Sequence, residues 1–322
     1  MNILSNFNYN HPKLDNIVHI CDENWHGIRN AANFAPGIKF LISFSNSNIE
    51  KPLQNIIDLI DNNNSSILFF HGLSPVAELI AKRLKSLRKN IKINFVGHVN
   101  STQFINEIEV DMINRAIEMK KNKIFSNLFS VKPNFFMVSN YFEKQILYNF
   151  PPNIQKRKKT SNNLLSNYVF IPLSHGDWRK NVDTNVIAAR IMNLDTIIIK
   201  SPQYLVHTKN HNIIETGFLN KDNLFNLYRD TKFCLSITIS ECQPMTQLEA
   251  IANGADIFTG PLNLEDTNTG YEKIFEIKCP DNLKEISQKI ETYLSQKSFE
   301  DMRNAYFKKR LDWAFESYLN IL

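Results

Sequence analysis

Ser236-Ile-Thr-Ile-Ser-Glu241-Cys-Gln-Pro-Met-Thr-Gln-Leu-Glu249-Ala-Ile-Ala-Asn-Gly254 begins as an apolar β-run, reaches an acidic residue and turns into a helical pattern. Pro244 marks the opening of the helix, because an amide at the first helical position has no intrahelical partner to lose. Met245, Leu248, Ile251 and Ala252 give an apolar stripe at helical spacing, and Gly254 supplies a left-handed stop. Glu241 therefore belongs at the carboxyl end of a strand and Glu249 little more than one turn into the following helix. The free amides of a helix start suit a phosphate or sugar hydroxyls, and a carboxylate can accept hydrogen bonds from two vicinal hydroxyls. On spacing alone, two surface glutamates beside a helix start fit the same letters.

Outward from this stretch, short β-rich runs alternate with longer helical patterns, the signature of parallel sheets built from βαβ units, so the chain reads as α/β. The second half has strands at 168–172, 196–199, 213–216, 233–238 and 256–258, with helices at 183–192, 221–230 and 245–253. The first half has strands at 16–20, 39–44, 66–70, 92–96 and 135–138, with helices at 52–61, 75–87, 106–121 and 141–148. A polar, basic stretch without apolar periodicity separates the halves. The expected organisation is a Rossmann-like domain over 1–155, a linker over 156–167, a second Rossmann-like domain over 168–300, and a C-terminal helix over 301–322. Trp313, Phe315 and Tyr318 make that last helix a candidate to pack back on the first domain.

The 322 residues suffice for two cores. Hydrophobic residues make up 43% and charged residues 21%, which excludes a disordered chain. No apolar run approaches the roughly 18 residues of a membrane span, and the start has no signal-peptide pattern, so a cytoplasmic location is expected. Cys21, Cys234, Cys242 and Cys279 are scattered and read as reduced thiols. A net charge of +5 does not argue for nucleic acid. The clusters Lys120, Lys121 and Lys123 beside Phe125 and Phe129, and Lys156 to Lys159, fit a solvated surface or an anionic membrane surface or phosphate-bearing acceptor. Peripheral contact with the inner membrane face is therefore kept open.

The Glu241 to Gly254 segment resembles the Glu-x7-Glu signature of retaining GT-B glycosyltransferases of family GT4, which continues Leu-Glu-Ala-x-Ala-x-Gly, met here by Leu248, Glu249, Ala250, Ala252 and Gly254. The resemblance implies two Rossmann-like domains facing a cleft, a nucleotide-sugar donor (UDP- or GDP-sugar), and a glycan or lipid-linked acceptor. It implies that Glu241 faces the donor sugar, that Glu249 holds the ribose, and that Gln243, Pro244, Met245 and Thr246 line the donor. The usual Glu-Gly-Phe-Gly opening is replaced by Cys242, Gln243 and Pro244, which bears on the identity of the sugar. Lys180 matches the family lysine that grips the diphosphate. The family arginine falls at His175, and Arg179 is placed to take over its role. Cations there would stabilise charge on the departing phosphate without a metal. Gly217 and Leu219 resemble the segment bordering the base, and His98 occupies the place of a histidine that reaches the donor sugar. Gly27 falls where the family has its glycine-containing loop, with His26, Arg29 and His71 as acceptor-side candidates. Phe136-Met-Val-Ser139-Asn140-Tyr141 resembles a strand-to-helix passage of the form Val-Ser-x-Tyr.

No Asp-x-Asp motif occurs in the sequence, so neither metal nor cofactor is expected. The expected activity is hexosyl transfer with retention, by same-face substitution, in bacterial surface polysaccharide synthesis. A catalytically silent sugar-nucleotide-binding subunit, or an epimerase or hydrolase on the same scaffold, fits the same residues.

Overall fold

The computed structural model describes residues 9–43, 48–154, 165–174, 176–200, 212–296 and 298–322. The chain divides into two compact units, Met1–Asn153 with Leu311–Leu322, and Ile154–Arg310. Most of the 156–167 segment, and His175, lie outside the described residues.

Unit 1 is a six-stranded parallel sheet in the order β2-β1-β3-β4-β5-β6. Its strands are β1 (Val18–Asp22), β2 (Ile38–Ile42), β3 (Ile67–His71), β4 (Lys92–Gly97), β5 (Asn127–Ser130) and β6 (Phe142–Ile146). Helices α1 (His26–Phe34), α2 (Glu50–Asn62), α3 (Pro75–Leu87) and α4 (Glu107–Lys121) connect them. One side of the sheet presents Val18, Ile20, Leu68, Phe70, Ile93 and Phe95 to the apolar stripes of α2, α3 and α4. Its start signals act as their chemistry requires: the Ser74 hydroxyl accepts from the Ala77 amide at the head of α3, and the Asn106 side chain accepts from Ile108 at α4.

Three expectations fail in this unit. Residues 135–138 form no strand: a short 3₁₀ turn covers Phe135–Met137. Residues 141–148 are not a helix, because β6 occupies Phe142–Ile146 and pairs with β5. The resemblance to a strand-to-helix passage over 136–141 therefore does not hold, and a turn leads into a strand instead. The physical cause is tertiary: Phe135 and Phe142 pack edge to face at 4.8 Å, and Phe135 meets Phe104 at 6.0 Å. These contacts anchor the turn in the core, and the unpaired edge of β5 takes the following residues as a strand. Phe125 and Phe129, beside the Lys120, Lys121 and Lys123 cluster in the sequence, are buried in the unit, while Lys121 and Lys123 are exposed.

The C-terminal residues of this unit cover the other side of its sheet. Trp313 lies 5.1 Å from Tyr148, Phe315 lies 5.0 Å from Phe150, and Tyr318 lies 5.4 Å from Phe69. These aromatics supply the apolar area that an otherwise polar terminal helix lacks.

Unit 2 is a five-stranded parallel sheet in the order β11-β10-β7-β8-β9. Its strands are β7 (Tyr168–Ser174), β8 (Asp195–Lys200), β9 (Ile213–Glu215), β10 (Phe233–Ser236) and β11 (Ile257–Thr259). The helices are α5 (Val182–Ile191), α6 (Lys221–Asp230), α7 (Met245–Ala252), α8 (Tyr271–Phe275), α9 (Leu283–Ser295) and α10 (Glu300–Leu319), whose last residues belong to unit 1. Pro244 stands at the N-cap of α7 with φ −65°, one position before the helix proper. Gly254, at φ +82°, makes the expected left-handed stop. No helix among the described residues is long and apolar enough to cross a membrane.

Gly260 follows β11 against the loop leaving β10, and a Cβ there would stand 1.7 Å from the Thr238 carbonyl oxygen. Gly260→Ala should therefore displace the backbone that leads to Glu241 and cost about 1–3 kcal/mol. Urea denaturation of the variant beside the parent chain checks this, and equal midpoints would contradict it.

Candidate functional site at the carboxyl end of the second sheet

In a parallel sheet all strands end on one side, and following helices begin there, so side chains just past strand ends gather at one edge. In unit 2 this edge carries the turn after β7 and the loop after β10. The turn after β7 is a 3₁₀ segment, Trp178–Lys180, capped by Asp177, whose carboxylate accepts from the Arg179 amide at 3.1 Å. Asn181 then takes a left-handed conformation, φ 52°, and opens α5. Its side-chain nitrogen donates to the carbonyls of Ile237 at 3.2 Å and Pro280 at 2.7 Å.

One turn further on, the buried Asn185 clasps the end of β10. Its nitrogen donates to the Ile237 carbonyl at 3.0 Å, and its oxygen accepts from the Ile237 amide at 2.9 Å. The Ile239 amide also donates to the Arg179 carbonyl at 2.8 Å. Four hydrogen bonds thus fasten the two loops, and a fifth ties Asn181 to Pro280.

The result is an ion pair between the Lys180 ammonium and the Glu241 carboxylate, with the Glu241 side chain mostly buried and Lys180 partly exposed. A cation and a carboxylate side by side on a fixed frame can bind a phosphate and a hydroxyl respectively. Arg179 is placed otherwise. Its guanidinium grips the Asp177 carboxylate at 2.5 and 3.2 Å, so the turn itself uses its fork.

Glu249 is buried on α7, and burial pushes its carboxyl up to about 7, partly offset by the Lys221 ammonium at the head of α6. Met245 is buried in the first turn of α7 and Thr246 is half-buried beside it. The Gln243 carboxamide oxygen accepts from Arg310 at 3.1 Å, so this side chain is tied to the interior. Arg310 is fully buried and also donates to the Tyr306 hydroxyl at 2.9 Å and toward Gln247 at 3.4 Å. Gly217 stands at φ +66° after β9, its amide held by the Ile199 carbonyl, and Phe218 beside it is exposed. Leu219 leads into the cap of α6 at Asn220.

In unit 1, His26 and Arg29 touch each other at 2.8 Å in the first turns of α1, and Gly27 lies between them with open space where a Cβ would stand. This stretch is helical rather than a loop. His98 follows β4 and is partly buried. His71 is buried, and both its ring nitrogens meet other imidazoles, His19 at 2.9 Å and His98 at 3.0 Å, leaving it none for an acceptor. The sequence reading missed Asp177, Asn181, Asn185 and His19; only the run of asparagines at helix starts hinted at the clasp.

A cavity of about 330 Å³ lies at the other end of the second sheet, lined by Lys232, Asp256, Tyr293 and Arg303 among others. The Arg303–Asp256 ion pair at 2.7 Å closes it, and none of the residues above reaches it. Among the described residues no cluster of side chains could hold a metal ion.

Neither a family model nor a curated protein matches this sequence. Solved structures do match its shape. The E. coli trehalose-6-phosphate protein bound with UDP-2-fluoro glucose aligns over 93% of this chain and 96% of its own, with a TM-score of 0.53 and 11% identity. The N-terminal domain of Candida albicans trehalose-6-phosphate phosphatase aligns over 98% of both chains with a TM-score of 0.55 and 9% identity. A UDP-forming trehalose-phosphate synthase from Burkholderia vietnamiensis aligns over 95% and 97% with a TM-score of 0.53 and 7% identity. The fold is GT-B. At such identities the likeness concerns architecture, and what each residue does must come from the site itself.

The raised Glu249 carboxyl has a consequence for stability. Between its ordinary value of 4.5 and about 7 the folded chain holds a proton that the unfolded chain has released. Stability from this group is therefore present below pH 4.5 and lost as pH rises through about 7. Glu249→Gln removes that loss, so the variant should gain on the parent by on the order of 3 kcal/mol between those limits. Denaturant unfolding across the pH range measures the difference; a flat difference would contradict the burial of an ionisable Glu249.

Proposed function

We propose that this protein is a retaining hexosyltransferase that binds a UDP-linked hexose at the carboxyl end of the second sheet. The observation that carries the reading is the Lys180–Glu241 pair, fixed there by the asparagine clasp and followed by the start of α7 with the buried Glu249. The match in shape to a structure bound with UDP-2-fluoro glucose and to a UDP-forming synthase supports it.

In this reading the Lys180 ammonium turns from Glu241 to the diphosphate as donor binds, and the freed carboxylate accepts from hydroxyls of the sugar. Glu249 accepts from the ribose. The bond from the anomeric carbon to the departing phosphate breaks as the bond to the acceptor hydroxyl forms on the same face. The acceptor proton passes to the departing phosphate oxygen, so charge is conserved and no protein nucleophile is needed. Lys180 stabilises the charge that grows on the phosphate, and the fixed frame means little reorganisation accompanies the step. No metal is required of this arrangement.

The acceptor we favour is a glycan or a lipid-linked sugar of a bacterial surface polysaccharide, as the GT4-like signature implies. Ile105, Ile108 and Met137, large apolar side chains exposed on unit 1, support peripheral contact with a lipid surface. The second reading, a sugar-nucleotide-binding subunit without turnover, draws on Arg179 and Gln243, two expected donor contacts that are engaged by Asp177 and Arg310.

Calorimetry with UDP and UDP-glucose, together with a UDP-release assay, tests both readings. Lys180→Ala should weaken UDP binding and lower turnover by about 10²–10³-fold. Glu241→Ala should lower turnover comparably while leaving UDP affinity equal or tighter, since it frees the ammonium. Binding without any turnover in the parent chain would favour the silent subunit; unchanged binding and turnover in Lys180→Ala would overturn the site.

A further inference from the structure

Three histidines form a single file across the first sheet. His19 lies on β1, His71 at the end of β3 and His98 just past β4, and these strands are neighbours in the order β1-β3-β4. The paired registers Cys21↔His71 and His71↔Val96 keep the three rings on one side of the sheet, opposite the apolar core. The His19 Nδ1 meets the His71 Nε2 at 2.9 Å, and the His71 Nδ1 meets the His98 Nε2 at 3.0 Å. The far end of the file is the His19 Nε2, 3.0 Å from the Pro36 carbonyl oxygen.

A carbonyl oxygen can only accept, so the His19 Nε2 must carry a proton. A neutral imidazole has one N–H, so the His19 Nδ1 is bare and accepts from the His71 Nε2. The same step then leaves the His71 Nδ1 bare, accepting from the His98 Nε2. Each ring therefore fixes the next, provided none carries a second proton. The surroundings enforce neutrality. Burial holds all three rings well below the ordinary imidazole value, His19 and His98 at about 3. Lys39, held by the Ala35 and Gly37 carbonyls and lowered by burial to about 7, opposes a second proton on His19 and His71 as its own charge fills in below that value. Phe69 and Tyr318, which flank His19, carry no charge.

We propose that the Pro36 carbonyl sets the tautomers of His19, His71 and His98 in one sense, so that His98 meets a ligand with a bare Nδ1 that can only accept a hydrogen bond. The His98 Nδ1 takes no hydrogen bond from any described residue, so its acceptor is offered outward. It suits a hydroxyl or amide donor and rejects a carbonyl or phosphate oxygen. Under the function proposed above, whose failure would leave the tautomers untouched, the donor is a sugar hydroxyl. His19 and His71 are positioning residues that act through His98. The file does not conduct protons: a proton passed inward would end as a charged His19 beside Lys39.

Nitrogen-15 spectra of the histidine rings test this without any ligand. The expected result near neutral pH is a bare Nδ1 and a protonated Nε2 in all three rings, unchanged on acidification to about pH 5, well above the value of about 3 held by His19 and His98. A protonated Nδ1 on His98, or a second proton on any of the three at neutral pH, overturns the proposal.

Two variants report whether the order is transmitted. His19→Phe removes the acceptor that holds the His71 proton, so the His98 ring, two members away, should shift toward the Nδ1-protonated form. His71→Gln supplies a donor and an acceptor in the same sense and should keep the His98 signature of the parent. A His98 spectrum unmoved in His19→Phe, or inverted in a folded His71→Gln, overturns transmission. Titration with a free hexose should move the His98 Nδ1 resonance as an acceptor's does; no movement overturns the sugar-hydroxyl assignment and leaves the tautomer result standing.

Discussion

The carboxamide of Asn185 holds the end of β10 by both of its polar ends, and the second unit's chemistry depends on it. A buried carboxamide with either end unmet would cost about 1–3 kcal/mol, so this side chain admits few alternatives for the backbone at Ile237. The backbone it fixes continues to Glu241 within four residues. The helix it belongs to is capped by Asn181, immediately after Lys180. The clasp thus sets the distance between a cation and a carboxylate that belong to different loops, and the ion pair is its product rather than its cause. A pair between two long, partly exposed side chains would contribute little by itself.

The two sheets use their carboxyl ends in opposite electrostatic styles. In unit 2 the edge carries two ion pairs, Lys180 on Glu241 and Arg179 on Asp177, beside the buried Glu249, whose carboxyl burial raises to about 7. In unit 1 it carries imidazoles that burial keeps neutral and that a backbone carbonyl orders. Ionised groups suit a phosphate, whose charge must be met. An ordered neutral acceptor suits a hydroxyl, whose direction must be met.

Much of this was legible in the letters. The alternation of β-runs and helical stripes identified nine of the strand positions within a few residues, because parallel strands buried on both faces read as continuous apolar runs. The α7 segment was plain from Pro244 to Gly254, since its stripe and its left-handed stop are local signals. What failed was decided at a distance. Residues 141–148 carry a helix-compatible pattern, yet the open edge of β5 and the Phe135–Phe142 contact make a strand of them. The short helix α1 hid behind a single glycine that invited a loop.

The site was legible by residue type and not by role. Glu241 and Lys180 stood out, but nothing in their spacing, 61 positions apart, says that they pair. Arg179 and Gln243 looked equally available, and only the positions of Asp177 and Arg310 show them engaged. The histidines appeared one at a time, each just past a strand or within one. Their order becomes visible when the strand order places them side by side, because a file across a sheet has no signature along the chain.

Hydrogen exchange with and without UDP tests the central claim most directly, since it maps a bound nucleotide onto the fold without presuming an acceptor. The account predicts added protection at residues 178–181, at 237–241 and in the first turn of α7. Protection at Lys232, Asp256 and Arg303 around the opposite cavity, or none anywhere at saturating UDP, would contradict it.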